Sequence, residues 1–285
     1  MRQRNQKSDH MPDDGARRAR FAPDHDIGDA GQWLADWRHA LVFLTRLPIA
    51  GKTALPPPTL AGAMRAFPLA GLVIGAIAGA VLVLAAGLGA PSSVAALLAV
   101  GTGLGLTGAL HEDGLADVAD GFGGGAGPAR KLEIMRDSRI GTYGVLALIM
   151  AVALKAAALA GLAQQSVWSA FAVAVAAAAM SRVAPAGILH LLAPARADGV
   201  SVGAGRPGRA TLLQALALAT LISVAFLWPV SVPFALVVVP LAGLAGLYAM
   251  VWLARRNIGG QTGDVAGASQ VVSEVAILVA AVMAL

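Results

Sequence analysis

Seven apolar stretches, broken by very few polar side chains, divide the chain: Met64 to Gly87, Ser92 to Leu110, Tyr143 to Gly161, Val167 to Leu192, Thr211 to Trp228, Val232 to Leu253 and Ala268 to Leu285. Each is close to the roughly 20 residues a helix needs to cross a bilayer core. The pattern therefore predicts an all-α, polytopic membrane helix bundle with about seven transmembrane helices. The connectors alternate in kind. Those after the first, third and fifth spans, "GLGAPSS", "LAQQS" and "PVS", hold no Lys or Arg. The basic residues collect elsewhere: Arg17, Arg18, Arg20, Arg38 and Arg46 before the first span, Arg130, Lys131, Arg136 and Arg139 after the second, Arg196, Arg206 and Arg209 after the fourth, Arg255 and Arg256 after the sixth. Because basic loops are retained in the cytoplasm, the charged connectors and the N-terminus are predicted to lie inside and the C-terminus outside, as an odd number of spans requires.

Residues 1–31 are polar and mixed in charge with no apolar core, the pattern of a disordered cytoplasmic tail and not of a signal peptide. Residues 32–285 are then a single integral-membrane domain. At its start, "WLADWRHALVFLTRLP" sets Trp33, Trp37, Leu41 and Leu44 on one helical face, with Asp36, Arg38 and Thr45 off it and Pro48 as the stop. This predicts either an interfacial amphipathic helix or a short helix packed on the bundle.

Composition agrees with the span pattern. The chain is 57% hydrophobic and only 13% charged, with a mean hydropathy of +0.72, whereas a soluble domain carries roughly a quarter charged residues. Aromatics are 5% and small residues abound, which suits closely packed helices over a barrel with aromatic girdles. Gly71, Gly75 and Gly79 repeat a GxxxG spacing that lets a neighbouring helix approach. "GLGLTG", Gly103 to Gly108, fits the dinucleotide pattern GxGxxG but lies inside an apolar span with no strand before it, so it is read as helix-packing glycine. The absence of cysteine excludes disulfides and thiolate metal sites.

The chemistry concentrates in "TGALHEDGLADVADGFGGG", residues 107–125. If the second span continues as a helix past the membrane face, Asp113, Asp117 and Asp120 fall at i, i+4 and i+7, within an arc of roughly 60°. Like charges so placed repel unless a cation lies between them, and hard oxygen ligands suit Mg²⁺ or Mn²⁺ over zinc. Glu112 points away from that stripe and is left out of the metal set. A solvated acidic helix end is the alternative. Gly123 and Gly124, in the turn that follows, could bring backbone amides to a phosphate. "EIMRDSRIGTYG" adds Asp137 between Arg136 and Arg139 at the same membrane surface. Carboxylates for a divalent ion beside forked guanidinium groups are the parts of a phosphoryl-transfer site, although the arginines could equally be cytoplasmic anchors. Within the spans, Lys155, Arg182 and Glu274 would each cost about 2.5 to 3.5 kcal/mol unpaired at the bilayer centre and must face inward. Lys155 with Glu274 is a plausible buried pair, and Arg182 could stabilise phosphate charge.

"FLTRLP" at 43–48, "HEDGLADVADG" at 111–121, "IMRDSRIGTYG" at 134–144, "SR" at 181–182 and "GGQTGDVAGASQVVSE" at 259–274 together resemble the cobalamin synthase family, the adenosylcobinamide-GDP ribazoletransferases. The resemblance runs in order over nearly all of the chain after the tail. Its one departure is Glu112, where the family pattern "HLDGLAD" has an apolar residue. The family implies a multi-pass enzyme of the bacterial inner membrane that depends on Mg²⁺. A ribose hydroxyl of α-ribazole, or of its phosphate, attacks the cobinamide-side phosphorus of adenosylcobinamide-GDP and GMP leaves. On this reading Asp113, Asp117 and Asp120 are the metal ligands. Asp137 completes the site or serves as base, and Lys155, Arg182 and Asp264 act in catalysis. Arg136, Arg139, Gly123, Gly124 and Glu274 contact substrate. Asp264, in the loop before the seventh span, could also be an N-cap. The CDP-alcohol phosphotransferases share clustered Asp in "DG" motifs, but have an Arg where this chain has Asp117 and end on D-x₃-D, which is absent here. A cation transporter would place its acids at the bundle midplane. No nucleic-acid partner is expected beside the lipid bilayer, and a homo-oligomer is left open.

Overall fold

Only a backbone whose hydrogen bonds close within the segment can cross lipid in this way, and the apolar runs accordingly fold as helices. The computed structural model describes residues 30–49, 59–230 and 234–284; the predicted tail before Ala30 lies outside them. Helix α1 (Ala30–Leu44) precedes α2 (Leu60–Ala63), which a 3₁₀ turn joins to α3 (Phe67–Gly87). Then come α4 (Ser92–Thr107), α5 (Leu110–Gly124), α6 (Pro128–Ile134), α7 (Thr142–Gln165), α8 (Val167–Ser181), α9 (Val183–Leu191), α10 (Val200–Ala204), α11 (Arg209–Leu227), α12 (Ala235–Ile258) and α13 (Gly263–Met283). Among the described residues the only β pairing is one isolated bridge, Pro194 with Gln261.

Six runs are long and apolar enough to cross a membrane: Leu60–Gly87, α7, Val167–Leu191, α11, α12 and α13. A seventh exists if α4 and α5 count together. α8 and α9 run through the centre, where residues 175–189 are all buried. α3 lies against α8, and its glycines explain the closeness. A Cβ on Gly71 would stand 2.3 Å from the Ala178 carbonyl oxygen, and one on Gly75 2.8 Å from Val175 Cα. The GxxxG stripe thus packs as its spacing predicts.

The second span departs from expectation. It does not run straight on into the acidic motif, because α4 stops after 16 residues and α5 leaves at 92° to it. Two successive left-handed residues make the corner, Gly108 (φ 63) and Ala109 (φ 56). Glycine adopts that conformation freely, while Ala109 is strained by roughly 1–2 kcal/mol. The corner is braced by the segment that follows α1: Arg46 N donates to the Leu106 carbonyl at 2.7 Å, and the Arg46 side chain lies so close over Gly108 that a Cβ there would meet its Nε at 2.0 Å. Gly103 and Gly105 have nothing within 4 Å of a would-be Cβ, so they are not the packing glycines expected of "GLGLTG".

α1 is packed on the bundle. Asp36 is fully buried, and Arg65 Nε donates to its Oδ2 at 2.6 Å with both side chains inaccessible. The Arg65 guanidinium also covers the Trp33 ring at 4.2 Å. As the helices alternate, the starts of α3, α7, α11 and α13 and the ends of α4, α9 and α12 gather at one end of the bundle, with α1, α5, α6 and α10. Every Lys and Arg of the charged connectors lies at this end; the turns at the other end carry none among the described residues.

Gly71→Ala is expected to force α3 off α8 and to destabilise the protein by about 1–3 kcal/mol, the usual cost of overpacking. Gly105→Ala meets open space and favours the helix by up to about 1 kcal/mol. Thermal denaturation of the detergent-solubilised variants should show the first melting below the parent and the second no lower.

Candidate functional site

Two glycines set the site. A Cβ on Gly114 would lie 2.7 Å from the Asp264 carbonyl oxygen, and one on Gly267 3.4 Å from His111 Cα. α5 and α13 therefore touch backbone to backbone where Asp113 precedes Gly114 and Asp264 begins α13. Asp113 is exposed and Asp117 half-buried on the same helical surface. α5 lies at about a right angle to α4. Burial first, and then the charges of Asp264, Asp113 and Asp120, raise the Asp117 carboxyl to about 7 against the opposing pull of Arg196. The acids are thus close enough to repel.

Asp264 is not the cap of α13. Thr262 is, its Oγ1 accepting from Val265 N at 3.3 Å while donating to Asp264 Oδ2 at 3.1 Å. This leaves Asp264 in the first turn with Arg196 NH2 3.6 Å away. Arg196 is a site residue that the sequence reading took only for a topogenic charge. It is held there by the isolated bridge: Ala195 N donates to Gln261 O and Gln261 N to Ala193 O, both at 2.9 Å. Gly260 permits the approach, since a Cβ would meet Ala193 O at 2.5 Å. The Nε and NH1 groups of Arg196 are buried without a hydrogen-bond partner.

Asp120 does something other than expected. Its carboxylate accepts from Gly141 N at 2.7 Å and Gly144 N at 2.9 Å, one oxygen each. It caps the start of α7 from a neighbouring helix, with the charge sign the helix dipole favours. The glycines of "IGTYG" are what admit it, because a Cβ on Gly141 or Gly144 would come within 2.5 Å of its oxygens. The three-carboxylate stripe is accordingly divided, Asp120 turned to α7 and Asp113 and Asp117 toward Asp264. Among the described residues no three acidic or histidine side chains could hold a metal ion by themselves.

Gly123 and Gly124 are the last residues of α5. Their amides belong to the helical ladder and are not presented to a phosphate as expected. Gly123 is small because the Tyr143 ring lies on it, 2.7 Å from a would-be Cβ. The Asp137 segment is a rim. Arg139 forks onto Asp137 with bonds of 2.7 to 3.2 Å, which together with the Arg139 backbone N–H holds that exposed carboxyl down at about 2. Asp137 stands apart from the other acids, its charged neighbours being Arg139 and Arg130. Arg136 pairs with Asp198.

The membrane-embedded charges meet as a network. Lys155 Nζ lies 2.6 Å from Glu274 Oε2 and 3.1 Å from Glu112 Oε1. The first contact is the expected pair. The second corrects the reading of Glu112 as a bystander: it points away from the stripe because it is buried against Lys155. Gln270 Nε2 donates to Glu274 at 3.2 Å and to Ser181 Oγ at 3.0 Å, while Arg182 NH1 donates to Ala178 O at 2.6 Å. Arg182 thus faces the bundle interior and not the acids of the surface.

Three cavities connect these parts. One of about 60 Å³ lies inside the bundle between His111, Glu112, Lys155, Arg182 and Glu274. The widest, about 630 Å³, opens at the surface between Arg46, Asp113, Asp117, Ser138 and Ile140. The third, about 260 Å³, reaches from Asp113, Asp264 and Arg196 in among Phe67, Leu189 and Ala204. Asp113 borders both of the larger ones. His111, between the inner cavity and the third, was not singled out from sequence, nor was Arg46.

A family model described as cobalamin-5-phosphate synthase matches residues 36–282. An adenosylcobinamide-GDP ribazoletransferase of Azorhizobium caulinodans is 49% identical over 249 residues, 86% of this chain and 94% of its own. Proteins of the same description from Rhizobium johnstonii and Bradyrhizobium diazoefficiens are 45% and 43% identical, covering 89% and 87% of this chain and 98% and 93% of theirs. No solved structure matches.

The geometry separates two kinds of aspartate. Asp120→Asn loses one charge-assisted acceptor at the α7 terminus and should lower stability by about 1–3 kcal/mol, whereas Asp113→Asn, exposed and without a hydrogen-bond partner in the structure, should leave the melting temperature within a degree or so of the parent. Glu112→Gln leaves Lys155 with one anionic partner and should also melt lower, by a margin of the same order as Asp120→Asn.

Proposed function

The chain belongs to the cobalamin-5-phosphate synthase family, and on that premise we propose that it joins the cobinamide-phosphate part of adenosylcobinamide-GDP to α-ribazole, or to its phosphate, at the surface around Asp113. The observation that carries this is the convergence of Asp113, Asp117, Asp264 and Arg196 where a wide open cavity and a narrow apolar one meet. A reaction between a large anionic donor and a small acceptor needs two such chambers with charged groups between them.

The oxygen donors fit Mg²⁺. The mutual repulsion that raises Asp117 is the kind a cation relieves, and Mg²⁺ is commonly held by one or two carboxylates with substrate phosphates completing its shell. Asp113 and Asp264 would hold it, and when bound it supplies neutralisation of charge on the leaving phosphate. Asp117, the surface carboxyl poised near 7, accepts the proton of the attacking ribose hydroxyl. A bond then forms between that oxygen and the cobinamide-side phosphorus, the phosphoanhydride bond breaks, and GMP departs with the bonding electron pair. Asp137 is a poor base because Arg139 holds its carboxyl low. Arg46, at the wide cavity, faces the diphosphate; Arg139 stands at the rim. Lys155, Glu274 and Glu112 fix α5 in place, and Arg182 balances their charge.

By the retention of basic loops, the site end faces the cytoplasm of a bacterial inner membrane. A cytoplasmic reporter at Ala195 should then be active and one at Gln164, at the opposite end of α7, silent; the reverse result would overturn this orientation.

GMP release from adenosylcobinamide-GDP and α-ribazole by the purified protein is the direct test. It should stop with chelator and return with Mg²⁺, and Asp113→Asn or Asp264→Asn should raise the Mg²⁺ needed. Burial, the largest cause of the raised Asp117 carboxyl, persists with Mg²⁺ bound while the repulsion of Asp113 and Asp264 is relieved, so the proton-accepting form should grow as pH rises toward 7, and turnover should rise with it. Asp117→Asn should lose about 10²- to 10⁴-fold in turnover and abolish that rise; a variant that keeps the parental pH profile would remove Asp117 from the role.

A further inference from the structure

The narrow cavity of about 260 Å³ between α1, the start of α3, α9, α10 and α13 has a form that suits one substrate and excludes the other. Its walls are Phe43, Leu44, Leu60, Met64, Phe67, Leu189 and Ala204. Phe43 and Phe67 stack there with ring centroids 6.1 Å apart and planes only 17° from parallel, so the cavity has a flat aromatic side. The charged groups of its lining are Asp113, Asp264 and Arg196, the last with two buried N–H groups that have no hydrogen-bond partner, and His111 and Ser201 are the other polar residues there. Pockets that enclose a whole drug-sized molecule begin at roughly 300 Å³. This one therefore takes part of a small molecule, a planar apolar ring with a polar handle left outside.

Resting on the reading of the chain as a ribazole-accepting transferase, we propose that this cavity is the acceptor subsite, which holds the aromatic base of α-ribazole between the Phe67 side and the α9–α10 side with the ribose at the acid-and-arginine mouth. That placement brings the attacking hydroxyl to the mouth at Asp113, which the wide cavity shares together with Asp117, while the corrinoid nucleotide, far too large for the chamber, approaches from that wide side. A lipid acyl chain, the competing occupant in a membrane, matches the walls but not the mouth, where two carboxylates would face its phosphate. The far wall sets which bases fit. Ala204 and Met64, both in the cavity lining, are then specificity-determining residues.

Ala204→Phe fills the chamber, and KM for α-ribazole is expected to rise by about 10- to 200-fold, the range over which a change of hydrophobic pocket size discriminates, while KM for adenosylcobinamide-GDP stays as in the parent. Met64→Ala enlarges it, and kcat/KM for the riboside of a three-ring, naphthalene-fused imidazole should increase relative to that for α-ribazole. This second outcome is a gain that misfolding does not produce. Equal rises in both KM values, or a Met64→Ala protein with parental base preference, would overturn the assignment, and indifference of both variants to base size is what an acyl chain in the cavity predicts. A parent protein that releases no GMP from adenosylcobinamide-GDP would instead fail the transferase reading itself and the subsite with it.

Discussion

An ammonium group in the apolar interior of a bilayer must find anions, and Lys155 finds two. Glu274 approaches from α13 and Glu112 from α5, so one charge binds three helices. Each member left alone would cost about 2.5 to 3.5 kcal/mol on insertion scales; together with Arg182 the four formal charges cancel. The lipid environment makes the arrangement close to obligatory, since water is not there to substitute for a missing partner. α5 lies across the end of the bundle and has little apolar surface of its own, so this anchor fixes which of its faces looks outward. With Glu112 turned in, Asp113 and Asp117 look toward α13 and the surface.

The corner at Gly108 and Ala109 is the complement of that anchor. A helix continuing straight from α4 would carry the acids away from the bundle, whereas a turn of 92° lays them over the start of α13. Contact at Gly114 and Gly267 then brings Asp264 within electrostatic reach. The result is a concentration of negative charge next to Arg196, in a layer where burial already opposes ionisation of Asp117. Such repulsion is destabilising for the free protein, and it is what raises Asp117 beyond the effect of burial, a common condition of functional clusters.

Much of this was legible in the residues. Spans follow from hydropathy, the α3–α8 contact from the GxxxG spacing, and the Lys155–Glu274 pair from the cost of an isolated charge in lipid. The corner was not, because Ala109 is chemically bland and left-handed alanine has no sequence signature. Missing the corner made "HEDGLADVAD" look like the end of a span with three equivalent aspartates. The sign that Asp120 differs was present in Gly141 and Gly144, which bracket the start of α7 at the spacing of two amides bound by one carboxylate. The partner of Glu112 was missed for a simpler reason: an acid placed off the stripe was left out of the metal set and given no other role, though in an apolar chain a lone acid facing the bundle points to a buried cation. Arg196 and Arg46 reach the site through chain pairing and a helix corner, contacts between distant segments that no local pattern encodes.

The shortness of α4 bears on the membrane itself. Sixteen residues at 1.5 Å each span about 24 Å, some 6 Å less than a typical hydrocarbon core of about 30 Å. A helix of that length matches the bilayer only where lipid beside it thins or flanking polar groups snorkel. Acyl-chain length, through hydrophobic mismatch, is then a physical variable that bears on α4 and on the corner that follows it.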